Sequence, residues 1–189
     1  DAPVTNYIVF STHNARLSLG LNEGHWTNAI DLAKLGTAGN GGVSAFANTY
    51  YTAATLGAGV HNVYRFGGSN GGTLALTQSG VLSGTSSVEV GAPHYLSGAN
   101  PGLTEANVRF YGDQTYTGAT TIHREADGGT LGGILEITGD SASSAFNIYG
   151  RLTVRGDGRF TNDAHLRQHP VRLDPQRRCP QCRRLPLLS

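Results

Sequence analysis

The sequence predicts an all-β protein assembled from many short strands, and three observations predict it. Apolar and polar residues alternate with period two over short runs, each run closes on Gly, Asn or Asp, and helix signals are nearly absent. The one helix candidate, Asn28 to Leu35, carries Ile30, Leu32 and Leu35 as its apolar positions and Gly36 as a stop. It is too short to stand alone.

Taken along the chain, the runs are Tyr7–Thr12, Arg16–Leu21, Ser44–Thr52, Asn62–Phe66, Thr73–Gln78, Ser87–Val90, Asn107–Tyr111, Thr120–Arg124, Ile134–Thr138, Ala145–Tyr149 and Arg151–Arg155. Period two places alternate side chains on one face. Leu74 with Leu76, Val88 with Val90, Val108 with Phe110, Leu135 with Ile137, Phe146 with Ile148 and Leu152 with Val154 form the apolar faces. Ala75, Glu89, Arg109, Glu136, Asn147 and Thr153 stand opposite them. A strand that buries so little is unstable alone, so many must share a core, as in a sandwich, a barrel or a solenoid. The breaks are dense in glycine: Gly67-Gly68-Ser69-Asn70-Gly71-Gly72, Gly128-Gly129, Gly132-Gly133, Gly139-Asp140 and Tyr149-Gly150. Their expected role is to supply positive φ at tight corners.

Charge divides the chain. The net charge is +1, but residues 164–189 hold six arginines (167, 172, 177, 178, 183 and 184) and one acid, Asp174. The remaining 1–163 carries eight basic and twelve acidic residues, a net of −4, which gives no electrostatic reason for a nucleic-acid partner or an anionic membrane. Both cysteines, Cys179 and Cys182, fall in the basic stretch. The chain opens on Asp1, contains no Met, and has no apolar run near the ~18 residues of a membrane span; either a leader has been removed or the chain starts within a longer protein, and the absent Met favours the second.

Residues 112–122 read Gly-Asp-Gln-Thr-Tyr-Thr-Gly-Ala-Thr-Thr-Ile. This segment resembles the autotransporter-associated β-strand repeat, with Gln114 where Asn is usual and Ala119 where Gly is usual. Val108-Arg109-Phe110 occupies the strand that precedes the signature, and Tyr64-Arg65-Phe66-Gly67-Gly68-Ser69-Asn70-Gly71-Gly72-Thr73-Leu74 is similar to a companion segment of such proteins. After Ile122 the usual short glycine turn is replaced by His123-Arg124-Glu125-Ala126-Asp127-Gly128-Gly129. The resemblance covers roughly residues 60–160. It implies a right-handed parallel β-helix or solenoid segment with glycine-rich corners, in a long secreted or outer-surface passenger protein. A cysteine-free body agrees, because early disulfides hinder a chain exported unfolded.

Several candidate sites compete with purely structural roles. Gly67-Gly68-Ser69-Asn70-Gly71 matches the nucleophile elbow, but residues 72–77 after it alternate as a strand where the elbow needs a helix. Arg155-Gly156-Asp157 is an integrin-type tripeptide at a glycine turn. Asp113, Glu125, Asp127, Glu136, Asp140 and Asp157 supply the residue type for calcium or glycoside chemistry, without a calcium-loop spacing. Histidines 13, 25, 61, 94 and 123 are isolated. Tyr50, Tyr51, Tyr64, Tyr95, Tyr111, Tyr116 and Tyr149, with Trp26, offer either a sugar-stacking surface or core packing.

The last stretch has ligand types for zinc in His165, His169, Cys179 and Cys182, though their order reverses that of a zinc finger. A different origin fits its composition. Twenty of its 26 residues are Leu, Pro, His, Gln or Arg, all encoded by codons beginning with C. Shifting the frame back turns His165 into Ile or Thr, and Gln168 into Asn or Ser, which is the vocabulary of the body. The stretch therefore reads as out-of-frame translation.

Three regions are expected: a β-rich segment over 1–60, as solenoid coils; a β-helix repeat region over 61–163; and a disordered, out-of-frame Arg/Pro-rich tail over 164–189. The function expected is that of a structural or adhesive stalk of a bacterial surface protein, extracellular and associated with the outer membrane. Its partners would be adjacent repeats of the parent chain, surface polysaccharide, or a host or neighbouring cell surface. No catalytic, cofactor or metal residue is assigned. The alternatives are a β-helix lyase or hydrolase acting on polysaccharide, and a β-sandwich binding module, which would show antiparallel pairing.

Overall fold

The computed structural model describes residues 16–20, 23–35, 41–67, 72–91, 106–123, 132–161 and 165–168. The chain makes repeated passes. The first carries β1 (Arg16–Leu19), β2 (Gly24–Trp26) and β3 (Ile30–Asp31); the second carries β4 (Gly42–Ala45), β5 (Thr49–Tyr51) and β6 (Leu56–Gly57). Then come pairs: β7 (Val63–Phe66) with β8 (Thr73–Leu76), β9 (Ser87–Val90) with β10 (Ala106–Phe110), β11 (Thr120–Ile122) with β12 (Gly133–Ile137), and β13 (Ala145–Ile148) with β14 (Arg151–Val154). β15 (His165–Gln168) comes last, within the stretch expected to be disordered, and pairs with β13.

Each pass sends one strand to each of two sheets. The first sheet has the order β1-β4-β7-β9-β11-β13-β15 and the second β14-β12-β10-β8-β5-β2, while β3 and β6 form a third, two-stranded sheet. Every strand pair among the described residues is parallel. The third line of contacts continues beyond β6. Leu56 N–H donates to Val81 O, Thr115 N–H to Leu82 O, and Gln114, Ser141 and Phe160 are linked by parallel bridges. The fold is therefore all-β with parallel sheets, and an antiparallel sandwich is excluded.

The apolar faces read from the sequence meet in one core. Leu74, Leu76, Val88, Val90, Val108, Phe110, Leu135, Ile137 and Phe146 are all buried. Phe66 of the first sheet lies edge-on to Phe110 of the second at 6.3 Å, and Phe110 is edge-on to Tyr116 at 6.4 Å, so the two sheets face one another across this core. At β14 the pattern weakens: Val154 is 42% exposed, because β14 is the last strand of its sheet. The run Tyr7–Thr12 lies outside the described residues.

Four expectations need correction. Asn28–Leu35 is not a helix. It forms β3 and a 3-10 turn at Leu32–Lys34, whose Ala33 N–H donates to the Asp31 side chain. Ile30, Leu32 and Leu35 are buried as expected, but pairing of Ile30 with Leu56 outcompetes a helix too short to nucleate. Ser44–Thr52 is two strands on different sheets, separated by a corner at 46–48 where Phe46 is 68% exposed. Stacked coils are expected to line up the Val108, Ile122 and Leu135 segments side by side in one direction, and they do not all stand so. Val108 pairs with Leu135 in the second sheet, whereas Ile122 pairs with Val90 and Ile148 in the first.

The last correction concerns glycine. Among the described corner glycines read from the sequence, none has positive φ; that geometry is found at Gly80, Gly84, Gly91 and Gly156, and at Glu23, His61 and Asn62. The corner glycines answer to close stacking of one pass on the next. A Cβ on Gly133 would lie 2.3 Å from Val90 O, and one on Gly118 would lie 2.4 Å from Ser86 O. Only glycine admits such an approach.

Candidate binding surface

The 112–122 segment is structural rather than exposed machinery. It runs from the end of β10, along the third line, into β11. Gln114 is buried; its Oε1 accepts from Leu82 N–H at 2.9 Å and its Nε2 donates to Gln78 O and Gly112 O. The Tyr116 hydroxyl lies 2.6 Å from Thr120 Oγ1, which donates to Ser143 Oγ; Ser143 in turn donates to Gly118 O. Burial raises the Tyr116 pKa, so the hydroxyl stays neutral in this network.

The surface with the most chemistry is the outer face of the second sheet. Register aligns His25, Tyr50, Ala75, Arg109, Glu136 and Thr153 in one row across six strands. The row has an aromatic end and an ionic end. At the aromatic end the His25 and Tyr50 rings stack at 5.3 Å and 27°. Glu23 accepts from the Tyr50 hydroxyl at 3.1 Å and from Asn48 Nδ2 at 2.8 Å, and that hydrogen bond, with the carboxylate charge, holds the Tyr50 pKa above its ordinary value. At the ionic end Glu136 pairs with Arg109 at 3.1 Å and with Arg155 at 3.4 Å. Arg109 Nε is buried and outside hydrogen-bond alignment, so its contact with Glu136 is ionic. Arg109 also donates to the Tyr111 hydroxyl at 2.8 Å and lies over that ring at 5.5 Å, and the hydroxyl contact raises the guanidinium pKa. Between the two ends the row drops to Ala75, leaving a cleft of about 120 Å³ lined by Asn48, Thr49, Tyr50, Thr73, Ala75 and Arg109.

The other candidates read from the sequence are scattered over the fold. Arg155, Gly156 and Asp157 are exposed at a turn where Gly156 has φ +62°, with Arg155 engaged by Glu136. Asp113 and Asp140 lie in successive passes, the Asp113 carboxylate accepting from Asp140 N–H at 2.8 Å. Glu136 stands apart from them on the sheet face, and Glu125 and Asp127 lie outside the described residues. Among the described residues, no three His, Cys, Asp or Glu side chains converge on a metal-sized site. Of the elbow motif only Gly67 is described, and Thr73–Leu76 after it is a strand, not the required helix.

Tyr51, Tyr64 and Tyr116 are core residues; burial pushes the Tyr51 pKa up to about 12. Tyr50, Tyr111, Tyr149 and Trp26 reach the surface, and Tyr95 is outside the described residues. His123 is mostly enclosed, with Nε2 buried and unpartnered; burial lowers its pKa, against a smaller opposing effect of Glu89. His25 and His61 are described, whereas His13 and His94 are not. For the zinc set, the side chain of His165 and all of His169, Cys179 and Cys182 lie outside the described residues. The Ala75 cleft is not visible in the sequence because its walls are far apart along the chain; the alternation of β8 and β10 is the only local signal.

No protein-family model, curated protein or solved structure matches this chain.

Proposed function

We propose that the chain is a segment of a right-handed parallel β-helix that serves as a structural or adhesive stalk of a bacterial surface protein of autotransporter type. One observation carries the reading: strands alternate between two parallel sheets, and each pairs with the corresponding strand of the neighbouring pass. Such stacking lengthens the molecule by one strand spacing per pass without enlarging its cross-section, which suits extension and display. Right-handedness is supported by the strong preference of parallel crossover connections for that hand. Among the described residues the sheets end on strands that can accept further passes, as adjacent repeats of a parent chain would supply.

Two measurements test this. Spin labels at Ser18 and Asn147, with Cys179 and Cys182 replaced by serine, stand on strands five steps apart in the first sheet. At about 4.8 Å per step their backbones should be about 24 Å apart. Antibody against the chain should label intact cells that express the parent gene. A backbone separation under about 15 Å would remove the stacked fold, and labelling only after lysis would remove the surface role.

A further inference from the structure

The outer row of the second sheet is interrupted at Ala75, and we propose that the cleft there binds a single pyranose ring of an acidic glycan, with Tyr50 as the stacking wall and Arg109 as the carboxylate partner. Tyr50 and Arg109 lie on strands flanking that of Ala75. Two strand spacings separate their backbones by about 9.6 Å. A flat group held between two walls needs about 7–8 Å between their mid-planes, two carbon contact distances. At about 120 Å³ the cleft is smaller than the ~150 Å³ that encloses benzene, so it seats one edge or face of a single sugar ring and not a chain.

The walls are set in advance. His25 covers one face of Tyr50, and Glu23 holds its hydroxyl, so the face toward Ala75 is the one offered. Stacking an apolar sugar face on a fixed aromatic ring saves ordering entropy. Asn48 is held by Glu23 and by Thr73 N–H, and with the Thr73 hydroxyl it gives the rim a polar edge suited to sugar hydroxyls. Preference for acid follows from charge. Arg109 and Arg155 share one carboxylate, Glu136, so the positive charge gathers at that end, while the balancing Glu23 carboxylate sits at the opposite end, engaged by Tyr50 and Asn48. Aligned hydrogen bonds from Arg109 go to Tyr111 and Glu136, leaving N–H donors of the guanidinium for a ligand carboxylate. This inference needs only the second sheet and stands whether or not the chain is a stalk.

Isothermal titration of the whole chain with a hexuronate oligosaccharide, and with the neutral oligosaccharide of the same linkage, tests it. The uronate should bind at least about tenfold more tightly than the neutral sugar. Tyr50→Ala should weaken uronate binding by about tenfold or more, and Tyr50→Phe much less. Arg109→Gln should reduce uronate affinity to that of the neutral sugar. Ala75→Val, which raises the floor of the cleft and suits a strand, should weaken both and serves if Tyr50→Ala does not fold by circular dichroism. Absence of binding by the parent chain, equal affinity for the two sugars, or Ala75→Val binding like the parent would each overturn the proposal.

Discussion

Replacement of Gln114 by Leu should cost the chain several kcal/mol although it puts an apolar residue into an apolar interior. The Gln114 side chain makes three hydrogen bonds at 2.9–3.0 Å, accepting from Leu82 N–H and donating to the carbonyls of Gln78 and Gly112. Leu82 is fully buried, so water cannot replace the lost acceptor. A buried donor left unpaired costs about 1–3 kcal/mol, and a carbonyl somewhat less because its second lone pair can find a partner. The sum is about 2–4 kcal/mol. At about 2–4 °C per kcal/mol for a chain of this size, the melting midpoint should fall by about 4–16 °C. Gln114→Asn keeps the amide but is one methylene shorter, and should fall between the parent and Gln114→Leu. Thermal and urea melts by far-UV circular dichroism measure the loss. Hydrogen exchange at the Leu82 amide localises it, which matters because stacked passes can open separately. A Gln114→Leu variant melting within about 1 °C of the parent, with Leu82 still protected, would refute the reasoning.

Packing and burial give two more expected outcomes. Gly118→Ala should destabilise by at least about 1–3 kcal/mol, since its Cβ would lie 2.4 Å from Ser86 O and the obstructing atoms are backbone; a urea midpoint equal to the parent's would show that the passes are less tightly stacked. His123 has a pKa lowered by burial, so the unfolded chain takes up its proton more readily than the folded one. Its neutral form therefore supports the fold fully above about pH 6.5, and that support is lost as pH falls through the depressed folded value. The stability difference between the parent and His123→Gln should shift against the parent between pH 7.5 and pH 5, and a difference independent of pH would contradict the assignment.

Much of the local structure was legible because its signal is local. Alternation in 87–90 gives a strand with those same limits, and alternation in 107–111 and 134–138 misses by only one residue at each end. The signal failed where strands are too short to alternate, as at Gly24–Trp26 and Leu56–Gly57, and where a corner keeps the pattern going, as between Ala45 and Thr49. The stacking role of Gly118 and Gly133 was also hidden, because the atoms that exclude a Cβ belong to Ser86 and Val90 of another pass.

From its sequence alone, then, this chain is committed to short strands with one apolar face each, since side-chain alternation and turn residues act over a few neighbours. Which sheet each strand joins, and which residue it meets there, was decided only by tertiary structure. The row from Tyr50 through Ala75, Arg109 and Glu136 to Thr153 advances by 25, 34, 27 and 17 residues. With connections of such unequal length no fixed period marks the row, and the cleft at Ala75 exists only because backbone pairing brings its walls to neighbouring places.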